Sequence, residues 1–340
     1  MTEGWSVEWS EAFPSLSMVL GTQSGLFVGA GLDVIRLGQG GARTWALSMP
    51  GRPYAGSIQD QKLGVLAGIG FHVLEVDDGR PLTEGRSTPS GFSDILARPG
   101  GGWGLSDRGT CLHLFNDRGL GLRRIDVGPI QRLIGWLDRD HLVWRDPDGV
   151  LHCGRFGIRD HVRRIDDRRW TWASRLQEGR MLILDSTGRL SEGRPHPHGW
   201  DELTTFDDDA HAPMRAHLGV DGWWCLDLGG KLGRGDGTHA LGHGGDFLTG
   251  WGHERLVTGE RTGILRIWRS PELADLASAE LRTTVEEAQA AMDWNERRQR
   301  FEEALKAEDE HRWEDALDLH RSLGRDEDVR RVLQAREVDR

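Results

Sequence analysis

The chain of 340 residues carries 43 Lys and Arg against 54 Asp and Glu, a formal charge of −11, with 37% hydrophobic and 29% charged residues. That balance excludes a membrane bundle and a wholly disordered chain, and no apolar run approaches the ~18 residues that span a bilayer. Three scattered cysteines (Cys111, Cys153, Cys225) exclude a disulfide scaffold, and Met1–Trp5 has no basic stretch leading into an apolar one, so no secretory signal and a reducing cytoplasmic setting are expected.

The first predicted element is a strand at Trp5–Trp9. After it one pattern recurs: a short apolar run, a turn with glycine, then a second alternating run. The clearest copies are Trp103–Leu114, Leu142–Cys153, Met181–Leu190 and Leu256–Trp268. Each reads as a β-hairpin, with glycine supplied where a tight turn asks for positive φ. The 47 glycines of the composition fit a chain built from many such turns.

Anchored on Gly31, Gly70, Gly109, Gly149, Gly188, Gly230 and Gly263, the hairpins follow one another at intervals of 39, 39, 40, 39, 42 and 33 residues. A period near forty with about four short strands is the mark of a β-propeller blade. Leu122–Asp126 and Val162–Asp166 are expected as outer strands, and Arg132–Trp136 as an inner strand lining a crowded channel. The seventh hairpin runs into Pro271 with no outer strand of its own. Residues 4–10 are therefore expected to complete the last blade, removing two sheet edges that would otherwise invite aggregation. The fold class expected is mainly β: a seven-bladed propeller over residues 1–270, closed by an N-terminal strand, with an α-helical appendage over 271–340.

Residues 241–268 resemble one WD-repeat. The Gly242-His243 pair, the strand Leu256-Val257-Thr258-Gly259 and the closing Ile267-Trp268 carry the resemblance. It implies a hydrogen-bond network within the blade in which His243, Thr258 and Trp268 take part, with Thr262 where the family has an Asp. The other six repeats lack the Gly-His pair and the Trp-Asp ending.

From Pro271 the texture turns helical. Apolar stripes follow at Leu273–Met292, at Phe301, Ala304 and Leu305, at Trp313, Ala316, Leu317 and His320, and at Val329, Val332 and Leu333. About three helices are expected. His311–His320 resembles the second half of a tetratricopeptide helical hairpin, but a free solenoid needs about three such units. The tail is thus expected to dock on the propeller, self-associate or bind a partner, with Trp313 and Leu317 as candidate contacts. Residues 271–340 hold 20 acidic and 12 basic side chains, which argues against nucleic-acid binding there.

No phosphate-loop, dinucleotide-binding or Gly-x-Ser-x-Gly signature is present, so no cofactor and no catalytic residue are expected. One segment, 195–217, concentrates ligand-type side chains: His196, His198, Asp207, Asp209, His211 and His217. It reads first as a solvated loop between the fifth and sixth blades. If the groups converged they would be weak candidates for a divalent metal, and with it for a propeller hydrolase. A second cluster joins Arg163, Arg164, Arg168 and Arg169 to Trp170 and Trp172. Interleaved Asp166 and Asp167 suggest structural ion pairing; protein-interface and RNA-binding readings stand beside it. The leading expectation is a non-enzymatic protein–protein interaction scaffold.

Overall fold

The structure, a computed structural model, describes residues 5–338 except 24, 84, 158, 207–212, 236–239, 253, 271–299, 301–302, 309 and 324–325. It divides into two compact units, Met1–Ala274 and Asp275–Arg340. Unit one is a seven-bladed β-propeller of four-stranded antiparallel sheets. The innermost strands are Leu16–Gly21, Pro53–Gln59, Phe92–Ala97, Arg132–Trp136, Trp170–Ala173, Pro213–Gly219 and Phe247–Gly250, for blades one to seven.

In blades one to six the chain moves outward strand by strand. Blade seven has only three strands from the C-terminal side, Phe247–Gly250, Arg255–Gly259 and Ile264–Arg269. Its fourth is Ser6–Ala12, antiparallel to Ile264–Arg269 with Ser6 opposite Arg269 and Ala12 opposite Ile264. The expected closing strand is present, shifted two residues from the predicted 4–10. Its pairing converts an open edge into a shared one.

Burial follows position within the blade. Second strands such as Trp103–Asp107 are buried throughout, because both faces are covered by neighbouring blades. The fourth strand of that blade, Gly121–Asp126, is exposed except at Ile125. One apolar cluster fills each of the seven interblade interfaces. Between blades seven and one, for instance, Val257, Leu265 and Ile267 meet Leu26 and Val28. At the crowded centre the inner strands of these two blades approach so closely that a Cβ on Gly21 would stand 1.8 Å from the Gly250 oxygen.

Every anchor glycine but Gly70 falls at the connection between the second and third strands of its blade. Gly149 and Gly188 have φ of +85° and +90°, the left-handed conformation that closes a three-residue loop. Gly70 departs from expectation: it opens the strand Gly70–Glu75, and Gly68 takes the positive φ. An additional device recurs at these turns. An Asp stands at the end of the second strand in blades three to six: Asp107, Asp185 and Asp227 are its last residue, and Asp146 is the residue just after Arg145. Each accepts a hydrogen bond from the amide four residues on: Cys111 (3.1 Å), Val150 (2.9 Å), Arg189 (2.9 Å) and Lys231 (2.9 Å). The side chain thereby satisfies a donor the turn would leave open.

In the blade that resembles a WD-repeat, the Trp268 indole donates to Thr258 Oγ1 at 2.8 Å in a buried setting. The His243 side chain lies outside the described residues.

Unit two has three helices among the described residues, over 303–308, Trp313–Ser322 and Asp326–Val338. The first predicted stripe, Leu273–Met292, lies outside them. Ala307, Ala316, Leu317 and Val332 form a small buried core, with Trp313, Val329 and Leu333 packed against it. Leu317, expected as an outward contact, is therefore spent on holding the helices together. His320, fully buried, bonds Glu308 Oε1 at 2.7 Å through Nε2. No helix among the described residues is long and apolar enough to cross a membrane.

Candidate ligand site in the central channel

The inner strands enclose a cavity of about 520 Å³ on the propeller axis, a size that suits a small organic ligand. Its two ends differ. All inner strands run the same way, and their entry ends lie beside the second-to-third strand turns: Phe92 pairs with Asp107, Trp170 with Asp185 and Pro213 with Asp227. At that end stand Tyr54, Asp94, Arg132 and Arg215, joined by Arg175 from the segment just past the fifth inner strand.

Asp94 is 8% exposed and fully engaged. Its Oδ1 accepts from the Ile95 amide at 3.0 Å and from Arg175, and its Oδ2 from the Leu133 amide at 3.0 Å. Arg175 also donates to Leu133 O at 2.5 Å, so one guanidinium ties blade three to blade four. Among the described residues Arg215 donates only to the adjacent Met214 carbonyl, at 3.1 Å. Burial lowers the pKa of Arg215, and its neighbours Arg261 and Arg175 lower it further. Burial likewise pushes Arg132 down to about 9, reinforced by Arg175.

The opposite end is neutral. His217 Nε2 and its ring pack where a Cβ on Gly250 would sit, and burial pulls its pKa down to about 4 against a smaller upward pull from Asp221. Gln177 Oε1 accepts from the Leu218 amide at 2.9 Å, and Gly21 N donates to Thr249 Oγ1 at 3.1 Å, stitching neighbouring inner strands.

The sequence-predicted sites are placed elsewhere. His196 and His198 do not belong to a free loop: they lie on a hairpin joining Leu190–His196 to Gly199–Thr205, the outer strands of blade five. The alternation there continues the sheet, so the reading of a solvated loop is corrected for 195–205 and 213–217, which are strand and hairpin. His196 Nδ1 accepts from the His198 amide at 3.2 Å, and its Nε2 lies 3.6 Å from Asp201. Asp207, Asp209 and His211 lie outside the described residues. His217, on the sixth inner strand, belongs to the channel instead. Among the described residues no group of three His, Cys, Asp or Glu side chains is placed to hold a metal.

The arginine cluster is also dispersed. Arg163 and Arg164 sit on the fourth strand of blade four, whereas Trp170 and Trp172 start blade five. Trp170 is buried, and the Trp172 indole donates to Met214 O at 3.2 Å beside the channel. Neither ring is offered to solvent alongside the exposed Arg164 and Arg169 as a stacking platform. Arg168 lies 4.5 Å over the Trp170 ring and bonds Asp166 at 2.6 Å, in keeping with ion pairing. Arg163 meets His198 and Cys153 at a smaller cavity of about 370 Å³. There burial pushes the Cys153 thiol up to about 11, leaving it protonated and unreactive at neutral pH.

The channel charges carry a signal in the sequence that local motifs do not show. Asp94, Arg132, Arg175 and Arg215 follow one another at 38, 43 and 40 residues, the blade period. Aligning the repeats on their turn glycines places all four 13 to 17 residues upstream of the anchor, at the axis.

No family model and no curated protein matches the chain. Solved structures do. The β-propeller domain of Myceliophteria thermophila Cps50 (Swd1) superposes with a TM-score of 0.64 at 13% identity, covering 78% of this chain and 99% of that one. BamB from Moraxella catarrhalis gives 0.56 at 11% identity, over 78% and 99%. BBS1N, solved in complex with ARL6DN, gives 0.56 at 13% identity, over 78% and 97%. At these identities the shared property is the fold: the chain is similar to β-propellers of differing sequence.

Proposed function

We propose that the protein is a non-enzymatic interaction platform in the cytoplasm, a WD-like propeller (1–270) with a helical tail (271–340) for docking or assembly. The observation that carries this reading is a set of aliphatic tips on one end of the propeller. Leu32, Ile69 and Leu228 are 56%, 61% and 79% exposed. Each occupies a second-to-third strand turn, in blades one, two and six, around the charged mouth of the channel. Polar residues would serve a solvated turn equally well, whereas exposed aliphatics on one rim favour contact with a protein surface. BBS1N, a propeller of similar fold, forms a complex with ARL6DN, and that supports the reading by analogy only.

The test is affinity capture of the tagged full chain from its native cells, with mass spectrometry, beside a variant carrying Leu32→Ser, Ile69→Ser and Leu228→Ser. A defined set of proteins held by the wild type and lost from the variant is expected. Identical profiles would count against the reading.

A further inference from the structure

The charges at the entry mouth do not balance. Among the residues lining the cavity, three arginines (Arg132, Arg175 and Arg215) face one carboxylate, Asp94. Asp94 is already taken by Arg175, and at the rim Asp246 is taken by Arg261, whose amide donates to it at 2.8 Å and whose Nε lies 3.9 Å away. Arg132 and Arg215 form no ion pair among the described residues. Residues 1–270 carry 31 basic and 34 acidic side chains, so the positive lining is opposite in sign to the propeller's own slight net charge.

An unpaired buried guanidinium is costly, since desolvation is not repaid by a partner. Two of them converging on one cavity are a receptor for an anion that supplies the missing acceptors. Guanidinium forks match the oxygens of a phosphate bidentately. The remaining lining is suited to an organic body: Trp172, Tyr54 and Phe247 flank the same cavity.

We infer that the entry mouth of the channel binds the phosphoryl group of a small phosphate monoester, with Arg132 and Arg215 as its principal ligands and the aromatic wall holding the organic part. This goes beyond the interaction reading and stands without it, because it depends only on the channel.

Calorimetric titration of the full chain at low ionic strength tests it, with phenyl phosphate, inorganic phosphate, a short phosphoserine peptide and phenol as probes. Phenyl phosphate is expected to bind and phenol not. Tighter binding of phenyl phosphate supports the assignment; if the peptide binds tighter, the phosphoryl group comes from a modified protein and the small-monoester assignment falls. Arg215→Gln and Arg132→Gln should each weaken phenyl phosphate by about tenfold or more, the loss of one charge-assisted contact, while Arg86→Gln on an exposed outer strand should not. Arg132→Met should leave the thermal midpoint without ligand unchanged or raised, since it removes an uncompensated charge. Equal affinity for phenol and phenyl phosphate, undiminished binding in both arginine variants, or a lowered midpoint in Arg132→Met with binding intact would each overturn the proposal. Should Arg132→Gln fail to fold, Arg215→Gln carries the comparison.

Discussion

Glu8 Oε2 accepts a hydrogen bond from Arg255 Nε at 2.7 Å, linking the closing strand to the second strand of the same blade across 247 residues of sequence. Arg269 lies 3.8 Å from the same carboxylate. The Arg255 hydrogen bond holds the Glu8 carboxyl below its usual range in spite of partial burial. Next to it Trp5 meets Trp224 edge to face at 5.1 Å, so the N-terminal segment also reaches blade six.

Two changes separate the ion pair from the strand that carries it. Glu8→Gln should cost below about 1 kcal/mol, as partly exposed pairs do. Deleting residues 1–12 should do far more: it bares the Ile264–Arg269 edge and removes the Val7 contact opposite Trp268. Differential scanning calorimetry with light scattering should show a lower, scan-rate-dependent transition and association of the truncated chain. A truncated protein as stable and monomeric as the parent would refute the closure.

The turn between the second and third strands of blade four offers a second prediction. Asp146 accepts from the Val150 amide at 2.9 Å and pairs with His152 Nε2 at 2.8 Å, and His152 stacks on Trp144. Burial alone would raise the Asp146 pKa, but the His152 hydrogen bond and the Val150 amide outweigh it and hold the carboxyl below the ordinary value. Asp146→Ala should destabilise the fold by about 1–3 kcal/mol, because it orphans a buried amide and a ring nitrogen together. A double-mutant cycle with His152→Asn should give a coupling of about 0.5–3 kcal/mol. Simple additivity would show that the pair is coincidental.

His217 sets a pH dependence. Its folded pKa of about 4 lies below the unfolded 6.5, so above pH 6.5 both states are neutral and it contributes no slope. Between pH 6.5 and 4 the unfolded chain takes up a proton that the folded chain refuses. Stability therefore falls with falling pH across that window, by at most about 3 kcal/mol, and the loss levels off below it. His217→Asn should flatten this part of the thermal-midpoint profile relative to the wild type. An unchanged acid slope in the variant would remove His217 as its source.

The repeat is legible in the residues alone. Turn glycines spaced by the blade period predict seven modules, because a hairpin loop with a left-handed position leaves a local mark that one residue type satisfies. The missing outer strand after Ile264–Trp268 and the surplus strand at the N-terminus likewise identified each other by elimination. Apolar spacing located the helical stripes over 313–320 and 329–333 for the same reason: period is local information.

Single repeats do not show what surrounds the axis; it emerges when the repeats are aligned on one another or the ring is closed. Arg132, Arg175 and Arg215 are ordinary arginines in separate repeats until their inner strands are brought together. Conversely, Arg169 and Trp170 are chain neighbours, yet one is exposed and the other buried, because strand alternation and the blade boundary part them. Chain proximity predicts turns and stripes well. Charge convergence depends on contacts between residues about forty positions apart, which the blade period hints at but which only the closed ring brings within reach.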